Sequence, residues 1–215
     1  MDNPDQATNV VRLGLRARQR MLVREELTRC ALELFDLHGF DDVSVEDIAS
    51  RAGVAPRTFF RYFAAKEDVA LHLLDDTGPL IRKVLKAASP RLSLAQALRD
   101  AFCSVPAERP ELAARSKLVT DLALSSPRLR AGLVEHQRQW AVLLAAVIAE
   151  REGMDAGREM EPLLWASMAV TIAMTYSEWE IRGEGNAVTL EEAFDRSAAM
   201  FGRSVAAAIP ALGGA

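Results

Sequence analysis

Apolar positions along this chain repeat with helical period almost from end to end, and no stretch of any length alternates as a strand would. From roughly Met21 to His38, the residues Leu27, Ala31, Leu34 and Phe35 share one side of a helix that Gly39 closes. Ser44 can cap a second helix, with Glu46 and Asp47 at the positive end of its dipole. Val45, Ile48 and Ala49 face inward there, and Gly53 ends it. A third helix begins near Pro56, a residue suited to the first helical position. Phe59 and Phe63 form its core side, and Arg57 and Arg61 share another, next to Thr58 and Tyr62. Two short helices around a glycine-centred turn, with guanidinium and short polar groups at the front of the second, suit entry into a DNA major groove.

After Lys66 the pattern stays helical, with breaks expected at Gly78-Pro79, Ser89-Pro90, Pro106, Pro110, Ser126-Pro127 and Gly153. The helix from Pro127 to Glu152 aligns Leu129, Leu133, His136, Trp140, Leu144 and Val147 in one stripe. The next, from about Met160 to Arg182, is apolar on nearly every side until Ser177, as expected of an element buried on more than one side. It carries two lines: Trp165, Met168, Ile172 and Trp179, and Leu163, Ser167, Val170, Met174 and Ile181. The first, with Thr171 and Thr175 beside it, is expected to wall a cavity for a large hydrophobic molecule. Phe102, His136, Trp140 and Leu144 are the other candidate lining residues. The second line is expected to meet a partner helix, and filling the core is the alternative for either. Thr189 and Glu192 make a capping box for a last helix. That helix carries Leu190, Phe194, Phe201 and Val205 on one side, and Ala198, Gly202 and Ala206 at four-residue intervals that permit close backbone approach.

The chain is 215 residues long and 50% hydrophobic, which is enough for a substantial core. Net charge is −4, but its distribution is uneven. Between Arg12 and Lys66, ten Lys/Arg stand against eight Asp/Glu, and Arg12 to Arg24 holds five arginines and no acid. That basic run, with Arg16, Arg18 and Arg20, suits phosphate or minor-groove contact. The two cysteines, Cys30 and Cys103, have no zinc-ligand spacing, so reduced thiols in a cytoplasmic protein are the simplest account. MDNPDQATNVV is too polar for a signal peptide, and the longest uncharged run, Pro162 to Ser177, is short for a membrane span. No nucleophile elbow, useful His/Asp pair, phosphate loop or metal constellation stands out, so neither catalysis nor a cofactor is expected.

The stretch ALELFDLHGFDDVSVEDIASRAGVAPRTFFRYFAAKEDV, Ala31–Val69, resembles the DNA-binding domain of TetR-type transcriptional regulators. Leu34-Phe35 with Gly39-Phe40, the pattern S-V-x-x-I-A-x-x-A-G-V from Ser44, and T-x-x-x-Y-F-x-x-K-E from Thr58 carry the resemblance. It implies DNA contacts, largely to phosphates, from Ser44, Thr58, Phe60, Tyr62 and Lys66, with Pro56, Arg57 and Arg61 on the recognition helix. Two positions depart from the family's common pattern. Phe60 stands where Tyr is frequent, removing a hydroxyl, and Ala55 where Ser is frequent, removing an N-cap worth about 1 kcal/mol.

The resemblance further implies an all-α fold: a flexible basic arm over 1–19, a three-helix helix-turn-helix domain over 20–66, and a helical ligand-binding and dimerisation domain over 67–215. It implies a homodimer that pairs its last two long helices with their copies. Val170, Met174, Phe194, Ala198, Phe201, Gly202 and Val205 are the candidate interface residues. The function implied is a repressor on a palindromic double-stranded operator, released by a small hydrophobic ligand of fatty acyl or aromatic type. The RTFFRYF wording is similar to an actinobacterial subgroup that includes the mycofactocin regulator and is linked to fatty acyl-CoA. A thiol-based redox sensor is the alternative reading, and an enzyme using the apolar cavity a more remote one.

Overall fold

A computed structural model of the protein describes residues 14–183 and 188–212. Among them every regular element is helical: α1 (Leu15–His38), α2 (Val45–Arg51), α3 (Pro56–Phe59), α4 (Lys66–Leu71), α5 (Thr77–Ala87), α6 (Leu94–Glu108), α7 (Pro110–Ser125), α8 (Pro127–Glu152), α9 (Glu161–Ile181) and α10 (Leu190–Leu212). A 3-10 turn at His72–Leu74 follows α4. The chain divides into two compact units, Met1–Val69 and Ala70–Ala215.

The smaller unit closes around Leu27, Phe35, Phe40, Ile48 and Phe59, all essentially inaccessible to solvent. Its joints follow from local chemistry. Gly39, at φ 82° and ψ 158°, occupies a backbone region that residues with a Cβ avoid, and lets α1 stop abruptly. Ser44 caps α2 through a reciprocal box: its Oγ accepts from the Asp47 amide at 3.1 Å, and the Asp47 carboxylate accepts from the Ser44 amide at 2.9 Å.

α1 starts at Leu15, earlier than the apolar spacing indicates, so residues expected in a flexible arm are helical. Arg and Gln are good helix formers, and solvent-facing turns need no apolar stripe. α3 is a single turn, Pro56–Phe59, continued by tight turns to Tyr62. Ala55 makes no side-chain cap bond there, as expected of a residue without an acceptor.

In the larger unit, α8 begins and ends where Ser126-Pro127 and Gly153 predict: Ser126 Oγ accepts from the Leu129 amide, and Gly153 takes the left-handed conformation. The Thr189–Glu192 box is present in both directions. A further box, Ser93 with Gln96, opens α6. Two expected breaks are displaced by a few residues. Gly78-Pro79 lies within the first turn of α5, where a missing amide hydrogen forfeits no helical bond. Pro106 is carried inside the end of α6.

Candidate nucleic-acid interface and small-molecule cavity

The single turn of α3 holds its surface outward by anchoring Phe59 beneath it. Phe59 is fully buried and packs on Phe63 at 5.7 Å between ring centroids. Pro56, Arg57 and Phe60 are thereby exposed, Phe60 to 55%, while Thr58 is half-buried. Arg61 stacks on Tyr62, its guanidinium 5.0 Å from the ring centroid, and donates to the Tyr62 hydroxyl at 3.0 Å. The two form one preorganised unit that presents guanidinium and phenol together. Arg18 and Arg20 are exposed on the first turns of α1, and the side chain of Arg16 lies outside the described residues.

Two expected DNA contacts are otherwise engaged. Lys66 directs its ammonium at the carbonyls of Phe40, Asp41 and Val43, at 2.8, 3.0 and 2.8 Å, and lies over the Phe40 ring. An ammonium has three donors, and all three are used in holding the α1–α2 turn. Ser44 hydrogen-bonds Asp47 in both directions, which keeps the Asp47 carboxyl below the usual carboxylate range. Arg24, at the end of the basic run, rests its guanidinium 5.1 Å from the Phe63 centroid.

The larger unit contains a cavity of about 480 Å³ walled by α5 to α9 and closed by the start of α10. Phe102 and Trp140 line it, as expected. The wall that α9 contributes is different from the expected one: Ala173, Met174 and Ser177 face the cavity. Trp165, Met168 and Ile172 instead border a small crevice against Phe194, Ala198 and Phe201 of α10, while Thr175 and Trp179 are exposed. Leu144 is fully buried in packing. His136 is half-buried beside Trp140, edge to face at 5.3 Å, and its buried Nε2 has no hydrogen-bond partner.

The expected dimer residues divide in the same way. Val170 is buried in the protomer's own core, Met174 lines the cavity, and Phe194 is buried against Phe102 at 5.5 Å. Ala198 is half-buried and Phe201 exposed; the side chains of Gly202 and Val205 lie outside the described residues. The exposed apolar side chains on α9 are Leu163, Leu164, Trp165 and Trp179. Gly78, expected to mark a break, is instead a point of close approach. A Cβ there would meet Trp140 Cδ1 at 2.6 Å, so the glycine lets α5 and α8 close on the cavity's end.

Burial pushes the Cys103 thiol up to about 11, with Glu191 adding to it, and burial likewise raises Cys30 despite the neighbouring Arg29. Neither is disposed to be a thiolate. Among the described residues no group of three or more potential ligands could hold a metal ion.

Residues 27–73 match the family profile described as bacterial regulatory proteins, tetR family, and residues 89–202 match the MftR C-terminal domain. The chain belongs to the tetR family. It is 32% identical over 189 residues to the HTH-type transcriptional regulator TcmR of Streptomyces glaucescens, covering 85% of this chain and 84% of that one. It is also 32% identical over 186 residues to MftR of Mycobacterium tuberculosis, whose name ties it to regulation of mycofactocin biosynthesis (83% and 90% covered). A TetR-family regulator from Streptomyces coelicolor shares the fold, with a TM-score of 0.54 at 18% identity over 84% of this chain and 98% of that chain. Membership makes the protein a DNA-binding transcriptional regulator, as the relatives it matches are transcriptional regulators.

Proposed function

We propose that the protein is a homodimeric repressor that holds a palindromic operator and lets go when a small, largely apolar molecule enters the cavity. The observation that carries this reading is the pairing, in one chain, of an exposed single-turn recognition element with an apolar cavity of about 480 Å³ in the larger unit. Arg57 and the Arg61–Tyr62 pair supply the grip, with phosphate attraction from Arg18 and Arg20. A two-fold dimer would present two such elements to inverted half-sites. Exposed Leu163, Leu164 and Trp165 on α9, with Met200 and Phe201 on α10, supply apolar surface for the second copy.

Release is a population shift, so the ligand must favour the state that binds DNA poorly. Thr77 and Ile81 place the cavity wall on α5, the first α-helix after α4. A cytoplasmic location follows from this function. Among the described residues no helix is long and apolar enough to cross a membrane.

The test is mutational. Arg57→Ala and Arg61→Ala should each weaken binding to the operator by roughly tenfold or more, with the dimer unchanged by sedimentation. Loss of the dimer in either variant would make these residues structural and remove the reading.

A further inference from the structure

The cavity's wall and rim differ in chemistry, and the difference bears on what can enter. Ile81, Phe102, Val105, Trp140 and Met174 make an apolar wall. Hydroxyls interrupt it, and two of them stand apart from the rest, Thr77 on α5 and Ser116 on α7. Each oxygen is buried without a hydrogen-bond partner, and Thr77 as a residue is only 4% exposed. A buried hydroxyl left unpaired is unfavourable, and two on one cavity leave hydrogen-bonding capacity for whatever fills it. A helical threonine has two accessible χ1 rotamers, so Oγ1 can turn toward an incoming acceptor without backbone movement.

Among the described residues, the cavity's charges lie at its rim. Lys117 lies 3.5 Å from Glu180, and Glu191 lies 3.7 Å from Arg99. Arg99 is also held by Asp100 at 2.9 Å and Asp195 at 3.1 Å. The lining itself thus carries one cation, Lys117, and two carboxylates, Glu180 and Glu191, and both Lys117 and the adjoining Arg99 are engaged. An entering carboxylate or phosphate meets surplus negative charge and, among the described lining residues, no unengaged cation. An entering cation finds both rim carboxylates already paired. Beneath the rim, burial raises the Tyr176 hydroxyl, with Glu180 adding to it, so the phenol stays neutral.

We propose that the cavity takes an uncharged amphipathic molecule, with an apolar body and hydrogen-bonding oxygens that meet Thr77 and Ser116, and discriminates against carboxylates and phosphate-bearing acyl carriers. This rests on the proposal that the cavity is the ligand site. It runs against the fatty acyl-CoA link implied by the RTFFRYF resemblance.

The experiment uses the full chain and matched probes near neutral pH: 1-naphthol against 1-naphthoate, and dodecanol against dodecanoate and dodecanoyl-CoA, by calorimetry. The uncharged member of each set should bind about tenfold tighter or more. Thr77→Val with Ser116→Ala should weaken the uncharged probes by about threefold to tenfold. Glu180→Gln, which frees Lys117, should narrow the gap between naphthol and naphthoate. Equal or tighter binding of the carboxylate or the thioester overturns the inference, as does indifference to the hydroxyl substitutions or binding of no probe. Ala113→Trp, which fills the cavity, separates the two readings. Unchanged naphthol affinity in that folded variant would mean that the cavity is not the ligand site at all.

Discussion

Lys66 shows how a charge can satisfy a DNA-binding motif and still serve the fold. Its three carbonyl partners all belong to the turn between α1 and α2, a segment rich in backbone acceptors that no helix satisfies. Lys66→Met keeps the stem and removes the donors, so it should lower unfolding free energy by about 1–3 kcal/mol in a denaturant titration. An unchanged midpoint would return Lys66 to the DNA. His136 makes a different point. Burial lowers its imidazole pKa from the ordinary 6.5, outweighing the upward pull of Asp75 and the Leu74 backbone. The unfolded chain therefore takes up the proton more readily, and the stability His136 contributes is complete above 6.5 and lost as pH falls below it. Denaturation near pH 7.5 and near 5.5 should show a smaller acid loss in His136→Gln than in the unaltered protein. Equal losses would place the sensitive group elsewhere.

Elements were legible where their ends carry chemistry. Ser126-Pro127, Gly153 and the Thr189–Glu192 box each mark a terminus that the structure reproduces, because a cap is a local hydrogen-bonding problem with few solutions. Proline misled where it stands near a helix end: Pro79 and Pro106 look like breaks but occupy turns that tolerate them. The orientation of α9 was not legible at all. A helix apolar on every side has no preferred face, and large residues drew attention to the Trp165 line. The buried side is instead the small one, Ala166, Ala169 and Ala173 with Val170, where the α9 backbone can lie close to its neighbours. Ala169→Leu should therefore cost about 1–3 kcal/mol of stability by overpacking. Thr175→Leu, on an exposed position, should change it by about 0.5 kcal/mol or less. The reverse order in thermal denaturation would reinstate the original faces.

For the whole molecule, sequence pattern reached the all-α class and the helix-turn-helix, since both rest on periodicity and short-range turn chemistry. Of its candidate lining residues, Phe102 and Trp140 lie on this cavity and the rest do not, because cavity lining depends on which helix faces meet. The surplus negative charge at the rim was likewise invisible, since Lys117, Glu180, Glu191 and Arg99 lie far apart in the chain. The net charge of −4 makes the DNA claim demanding: an acidic chain must concentrate its cations where it grips. The most direct measurement is a fluorescence-anisotropy titration of the full chain on a palindrome-bearing fragment from beside its own gene, repeated across salt concentrations. The account predicts saturable binding of a dimer whose log affinity falls linearly with log salt, as phosphate contacts require. Affinity independent of salt, or no preference for the palindrome over scrambled DNA, would contradict it.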